Sequence, residues 1–545
     1  MIKKIPLESG DLIITNWNVI GHIAGWIDTL YKTAKDLPNC GILTALVMDP
    51  NDKIFVHGSF IVPRLHVPAS YAMGESYYGQ YDKTREVPVS HLICAIIKKE
   101  LLEKLPLPDR LGESPFVDAD YCLEAQKLGF KTYATTELMV QYKGDDSQAD
   151  SPEAYAQKFE SDYLTFKEKW GKTFDEGFGT PVLYQTAIAQ PSGFAMAARG
   201  YIKGLTENKV LVSYNYLKGT NEEEPECDDD VVNAICEDHG NMKMPQVIWA
   251  QAPFFNKNSG KYKIGHCEFE GDTVPPLWIE SVNQMDEIWV PTNWDREKFR
   301  KAGATCPIYV FAQGIEADYF HPDLPPMRFE VKENFKFICN AAWDPRKNLL
   351  NLIRAFKMEF TKDEDVCLII KTMDIGLGGE IKDELDKLNY DKNSGQVYVK
   401  EEVFKKEELG TFYTAGDCFV LPTHGEGWGL PVFEALACGI PVITTNWGAL
   451  QETLLDENGK PYAGCHLLRY QKSQTDTPYM YLQGNYWAEP SVPHLMETMR
   501  YVYEHKEEEK QKALETSRII RAKYNWAEVT KPIKERLAEI YKVMA

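Results

Sequence analysis

His424-Gly-Glu-Gly-Trp-Gly-Leu-Pro-Val-Phe-Glu-Ala-Leu-Ala-Cys-Gly439 follows a short apolar run at 418–422. Such a run, closed by glycines, predicts a buried parallel strand that turns directly into a helix. Pro431 suits the first helical position and Gly439 the C-terminal cap. Gly425, Gly427 and Gly429 let the backbone approach a ligand closely, and Leu430 sits where the loop enters the helix. The helix start would aim unpaired N–H groups and a positive dipole at an anion. Glu434 is expected in the first helical turn, facing the same space, where a carboxylate accepts hydrogen bonds from a ribose. Glu426 lies eight residues earlier on the loop itself. The plainer alternative for Glu434 is an acidic residue that stabilises its own helix dipole.

A second stretch, Asp344-Pro-Arg-Lys-Asn-Leu-Leu-Asn-Leu-Ile-Arg-Ala-Phe356, predicts a helix over 345–360 with Asp344 as its cap. Leu349, Leu352, Ile353 and Phe356 form its buried stripe. Arg346 and Lys347 then fall in the first turn, where two cations oppose the helix dipole. A local rule broken without visible compensation points to a functional site, and a bound diphosphate would supply the missing negative charge. A third stretch, Ala189-Gln-Pro-Ser-Gly-Phe-Ala-Met-Ala-Ala-Arg199, places Gly193 at another strand-to-helix turn, a weaker signal taken alone.

Around these stretches strands alternate with amphipathic helices, the pattern of parallel α/β layers. One half runs over 177–328, with strands at 182–188, 210–214, 246–250, 288–291 and 308–312 and a helix at 194–205. Pro322-Asp-Leu-Pro-Pro marks a hinge. The other half, 329–545, has strands at 336–340, 366–371, 396–399 and 418–421 and a second helix at 431–438; its final helix is expected to pack back on the first half. Two Rossmann-like halves leave a cleft between them, where this architecture binds ligands. Residues 1–143 mix short strands and helices, and 144–176 open as a polar linker and continue as a charged helix. The acidic run Asn221–Asp230 reads as a solvated loop, with a metal or partner site as its alternative.

Composition narrows the functions available. Apolar residues make up 44% and charged residues 26%, which excludes a disordered or fibrous chain. With 81 acidic and 60 basic residues the net charge is −21, which argues against general binding to duplex nucleic acid or anionic membranes. No apolar run approaches the roughly 20 residues of a membrane span. No secretory leader is apparent at the start, so a cytoplasmic location is expected. Twelve cysteines occur without any Cys-x-x-Cys and read as small hydrophobes; no metal site is expected.

At 177–545 the sequence resembles glycosyltransferase family 4, whose members have the GT-B fold and retain anomeric configuration. The resemblance rests on Gly265-His-Cys-Glu-Phe-Glu, Trp289-Val-Pro-Thr-Asn-Trp with Gly314 beyond it, Lys347-Asn, and Glu426 with Glu434. It implies Lys347, with Arg346, on a donor diphosphate, Glu434 on the ribose, and Glu426 beside the transferred sugar. It also implies Gly427, Gly429 and Leu430 at the donor, Gly193 near its phosphate or the acceptor, and His266 at the sugar. Many relatives carry an arginine five residues before the lysine; Ala342 stands there in this chain. Residues 1–143 resemble, more faintly, the latter half of a family 2 glycosyltransferase with a GT-A fold, on Asp11–Val19 and on Phe116–Gly129. The nucleotide-binding first half is missing, Asn16-Trp17-Asn18 stands where the family's metal-binding Asp-x-Asp belongs, and Asp118 matches its catalytic base. A non-catalytic module for stability, homo-oligomer contact or acceptor binding is the expectation.

The resemblances together imply transfer of a sugar from a UDP- or GDP-type donor to a hydroxyl acceptor, with no cofactor and no metal. The acceptor could be a glycan, a lipid-linked glycan, a protein or a modified nucleobase. Lys257, Lys261 and Lys263 are expected beside the acceptor cleft, where a phosphate-bearing acceptor would suit them; a solvated loop is the alternative. A non-catalytic binding protein on glycosyltransferase modules, or another GT-B enzyme such as an epimerase or phosphorylase, remains a rival.

Overall fold

The computed structural model describes all residues except 1, 21–23, 82–83, 145–151, 191, 218–226, 228, 241–242, 377–380, 382, 384, 386–392 and 545. The start of the 144–176 linker and most of the acidic run at 221–230 therefore lie outside the described residues. The chain divides into two compact units. The first comprises Met1–Gly179, Lys209–Leu211 and Glu226–Asp238, and the second Thr180–Asn208, Val212–Pro225 and His239–Ala545.

The first unit is built on a mixed sheet whose main path runs Ile2–Pro6, Leu12–Asn16, Cys94–Ile97, Cys40–Met48, Lys131–Tyr142, Val19–Ile20. Cys40–Met48 is buried along its whole length, because side chains alternate between two covered faces. Ile13, Leu43 and Ile96 face one core with Leu30 and Ala34 of helix Trp26–Lys35. Ile14, Ile42, Ala95 and Ile97 face the other with Phe116, Tyr121 and Cys122 of helix Pro115–Lys127. The charged helix, observed as Pro152–Gly177, does not merely connect: Phe166 and Trp170 enter this second core, and Trp170 donates to Asp120 at 2.6 Å.

The second unit holds two six-stranded sheets. The first is ordered Val210–Tyr216, Gly179–Thr186, Pro245–Trp249, Tyr262–His266, Glu287–Val290, Ile308–Val310, with parallel neighbours from Gly179–Thr186 onward. The second is parallel throughout: Gln396–Glu401, Val366–Thr372, Phe335–Asn340, Cys418–Leu421, Val442–Thr445, Cys465–Leu468. Sequence reading missed Tyr262–His266, Val442–Thr445 and Cys465–Leu468, which are short and of mixed pattern. In the second sheet the strand order reverses between Phe335–Asn340 and Cys418–Leu421, and ligands of open α/β sheets bind beyond the strand ends at such a switch point. The helix Gly193–Glu207 follows the first strand of the first sheet. The last helix, Trp526–Met544, lies along it, with the Trp526 ring filling the space over Gly200 and the Trp526 carbonyl and Thr530 hydroxyl lying against Gly204. The two sheets and their helices form a GT-B fold.

Candidate active site

The two loops at the switch point are stitched together through backbone groups. The Arg346 carbonyl accepts from His424 N at 2.8 Å and from the Thr423 hydroxyl at 3.1 Å, and Asn348 Nδ2 donates to the Pro422 carbonyl. The expected helix over 345–360 is not continuous. Asp344 caps a single 3-10 turn, Pro345–Lys347, by accepting from Arg346 N; Asn348 then adopts a left-handed φ of 58°, and the α-helix begins at Leu349. Arg346 and Lys347 thus sit on a separate turn ahead of the helix, still beside the positive end of its dipole. Asparagine tolerates this backbone region better than most residues.

Compensation for the two cations comes from the glycine loop. Lys347 Nζ lies 2.8 Å from both oxygens of Glu426. Arg346 lies 3.4 Å from Glu426 and 3.9 Å from Glu270, and donates to the Gly425 carbonyl at 2.6 Å. Burial alone would raise the Glu426 carboxyl, but Lys347 and Arg346 outweigh it and hold the group below its usual range. The Arg346 Nε is buried without a hydrogen bond, with Asp344 3.9 Å away. Gly429 has φ +94°, a conformation costly for any residue with a Cβ, and opens the helix Leu430–Ala437. Gly193 approaches this point from the other half: a Cβ there would stand 3.8 Å from Leu430 Cδ1.

Glu434 is the fifth residue of its helix, not in the first turn, because the helix starts at Leu430 with Gly429 as its cap. It is 3% exposed and accepts from the Tyr413 hydroxyl at 2.7 Å, which in turn accepts from Asn340 Nδ2 at 2.9 Å. Burial, opposed by that hydrogen bond, pushes its carboxyl up to about 7.

Two expectations need correction. His266 does not line the cleft: it is fully buried among Tyr201, Trp249 and Trp289, hydrogen-bonds the Tyr184 hydroxyl, and is pushed down to about 3 by burial. It is a neutral core residue. Lys261 and Lys263 flank the start of strand Tyr262–His266, the end opposite the ligand-binding strand termini. Lys261 donates to the Met544 carbonyl, and Lys263 N is held by Asp286. Lys257 lies on the returning segment whose Asn258 is bonded to Gln246, near the start of its own strand. None of the three lysines borders the switch point.

Sequence reading missed a pair it had quoted for another reason. Glu268 and Glu270 follow the strand end at His266 and both lie against the glycine loop and its neighbours, Glu268 at Gly427 and Glu270 at Gly425 and Arg346. The Glu268 side chain lies 2.5–2.7 Å from where a Gly427 Cβ would stand, and the Glu270 carbonyl 2.9 Å from that of Gly425. The glycines thus make room for the opposing half. Gln313 Nε2 donates to Glu268 at 2.6 Å. Tyr479 reaches in from the segment between strands Tyr470–Gln474 and Tyr486–Pro490 and donates to Asp344 at 2.9 Å. The alternation Glu-x-Glu after a strand was the available signal for the acidic pair; nothing local marks Gln313 or Tyr479.

In the first unit Asp118 is fully buried in the first turn of helix Pro115–Lys127. Its oxygens are occupied by His91 and by the backbone N–H groups of Leu92 and Gly112. Among the described residues no helix is long and apolar enough to cross a membrane.

Residues 326–466 match the family model described as glycosyl transferases group 1. A GDP-mannose-dependent alpha-(1-6)-phosphatidylinositol monomannoside mannosyltransferase from Mycolicibacterium smegmatis is 29% identical over 188 residues, 32% of this chain and 48% of that protein. A probable sucrose-phosphate synthase from Thermosipho melanesiensis is 26% identical over 162 residues, 28% of this chain and 35% of that protein. The chain thus spans half or less of the length of these relatives. Among solved structures, a sucrose-phosphate synthase from Thermosynechococcus elongatus aligns with a TM-score of 0.48 at 12% identity, over 67% of this chain and 99% of that one. Arg346, Lys347, Glu426 and Glu434 all fall within the stretch that matches the glycosyl transferases group 1 model.

Proposed function

We propose that the protein transfers a sugar, with retention, from a nucleotide-sugar donor to a hydroxyl acceptor, binding the donor on the 326–466 half. The observation that carries this reading is the convergence of Arg346, Lys347 and Glu426 on the glycine loop at the switch point. Lys347 is paired with Glu426. A donor diphosphate offers the lysine and Arg346, whose Nε has Asp344 at 3.9 Å but no hydrogen bond, an alternative anion, and the start of helix Leu430–Ala437 adds its N–H groups. Charge that builds on the departing diphosphate then meets two fixed cations, the arrangement that lowers the barrier to its departure. These cations take the part a divalent metal plays elsewhere, so the reaction needs no metal. Glu434, beside Tyr413, is the ribose acceptor of hydrogen bonds. The mannosyltransferase relatives are named for GDP-mannose, which makes it the first donor to test, with UDP-glucose second.

Calorimetry with GDP and UDP, and with the bare nucleosides, tests the assignment. Lys347→Ala is expected to weaken a diphosphate by about 1.5–3 kcal/mol while leaving the nucleoside unaffected, since only the diphosphate offers it charge. Equal losses for both ligands would remove the lysine from the phosphates. Turnover of the donor is expected to survive EDTA; its loss on chelation would overturn the metal-free reading.

A further inference from the structure

Asp344, buried at the start of the turn that carries the two cations, has both carboxylate oxygens in use. Oδ1 accepts from Arg346 N at 2.8 Å and caps the turn, and Oδ2 accepts from the Tyr479 hydroxyl at 2.9 Å. The Arg346 Nε stands 3.9 Å from that same Oδ2, inside the range of an ion pair and outside that of a hydrogen bond. Tyrosine and arginine thus compete for one oxygen, and the tyrosine holds it. We propose that Tyr479 is a positioning residue for donor binding: by occupying Asp344 Oδ2 it keeps the Arg346 guanidinium off that carboxylate and available to the donor diphosphate; this rests on the glycosyltransferase reading above.

Among the described residues the guanidinium makes no hydrogen bond to a carboxylate. Glu426 lies at 3.4 Å, and Glu270 and Asp344 at 3.9 Å, while Nη1 donates to the Gly425 carbonyl at 2.6 Å. Removing the tyrosine hydroxyl changes this balance. A buried carboxylate oxygen left without a donor is costly, and Arg346 Nε needs to move only about 1 Å to serve it. The arginine is then drawn to Asp344, and a diphosphate meets a cation already engaged.

The hydroxyl is delivered by a segment that other contacts fix. Residues 475–485 join the antiparallel strands Tyr470–Gln474 and Tyr486–Pro490 and pack on the half that carries the first sheet. There Leu482 is buried in one core with Phe269 and Trp278, and the Tyr481 ring lies 5.5 Å from the Trp278 ring. Asn485 accepts from the N–H groups of Asp272 and Thr273, and the Tyr479 ring lies 5.6 Å from that of Tyr481. Asp344 belongs to the other half. The Tyr479–Asp344 bond therefore ties the cation turn to a segment 135 residues away that does not depend on Asp344 for its place.

The test is calorimetry on the full chain with GDP, UDP, guanosine and uridine. Tyr479→Phe keeps the ring and its packing and removes only the hydroxyl. It should weaken both diphosphates by roughly 10-fold or more and leave the nucleosides unchanged, because only the diphosphates use the guanidinium. Arg346→Gln should weaken the diphosphates at least as much. Adding Tyr479→Phe to Arg346→Gln should then change their affinity by less than about twofold, since the two residues act on one contact. A merely structural tyrosine would lower affinity for nucleosides and diphosphates alike, and by the same factor with or without the arginine. Either of those results, or a Tyr479→Phe protein with native diphosphate affinity, overturns the role of Tyr479 alone. A native protein that binds neither diphosphate overturns the donor-site reading itself, and the role of Tyr479 with it.

Discussion

At the residue scale, Glu434 shows how burial stores a pH response. Its carboxyl moves from 4.5 to about 7 because it is removed from water, although Tyr413 donates to it. Between those values the folded protein keeps a proton that the unfolded chain has released. Stability therefore falls as pH rises through this window and levels above it. Glu434→Gln removes that slope: between about pH 5 and about pH 8 the native protein should lose roughly 1–3 kcal/mol more than the variant in denaturant titrations. Identical pH dependence would place the group in water. Ribose hydroxyls donate to the ionised form, so nucleotide binding below pH 7 is expected to release a proton. Calorimetry in buffers of different ionisation enthalpy reads this directly, and no buffer dependence would separate Glu434 from the ribose.

Among elements, the strand–loop–helix unit from Cys418 to Ala437 is set by three glycines with different duties. Gly425 and Gly427 leave room for the Glu270 backbone and the Glu268 side chain, whereas Gly429 turns the chain at φ +94° with Leu450 packed 2.8 Å from any Cβ. Gly429→Ala should therefore cost stability, about 1–2 kcal/mol for the backbone and more if Leu450 cannot yield. A melting temperature equal to the native one would show that the turn relaxes freely. The neighbouring 345–360 segment taught the opposite lesson. Its apolar stripe and Asp344 were legible, but the break at Asn348 was not. It depends on hydrogen bonds from the chain 75 or so residues away, Asn348 to Pro422 and His424 to Arg346, and no local propensity encodes them.

For the molecule as a whole, the last helix is what fastens the first sheet's Gly193–Glu207 layer. The Trp526 ring fills the space over Gly200 and Gly314, Asn208 donates to the Ala527 carbonyl, and Arg536 pairs with buried Glu287 at 2.7 Å. Trp526→Ala should cost about 3–5 kcal/mol, since Gly200 and Gly314, which lie against the ring, have no side chains to fill the cavity left behind. A loss below about 1 kcal/mol would mean that the helix is not needed there. The first unit carries a separate expectation. Asp118 is saturated by structural hydrogen bonds, so Asp118→Asn should leave donor turnover unchanged while lowering the melting temperature. Loss of turnover with the melting temperature intact would give that unit a catalytic part.

The sequence by itself determined the alternation of strands and helices, the glycine turn before Leu430, and the two adjacent cations at a turn. These are local facts, written in apolar period, in proline and glycine placement, and in cations set at a turn. It could not say that Lys347 and Glu426, 79 positions apart, neutralise each other. Nor could it say that His266 lies inside an aromatic core, or that Lys261 and Lys263 mark the wrong end of their strand. Only the order of strands in the sheets decides which loops meet, and only burial decides which of several carboxylates is answered by a cation, by a tyrosine or by Gln313. Those are properties of pairs distant in the chain, fixed when the sheets form and water leaves the space between them.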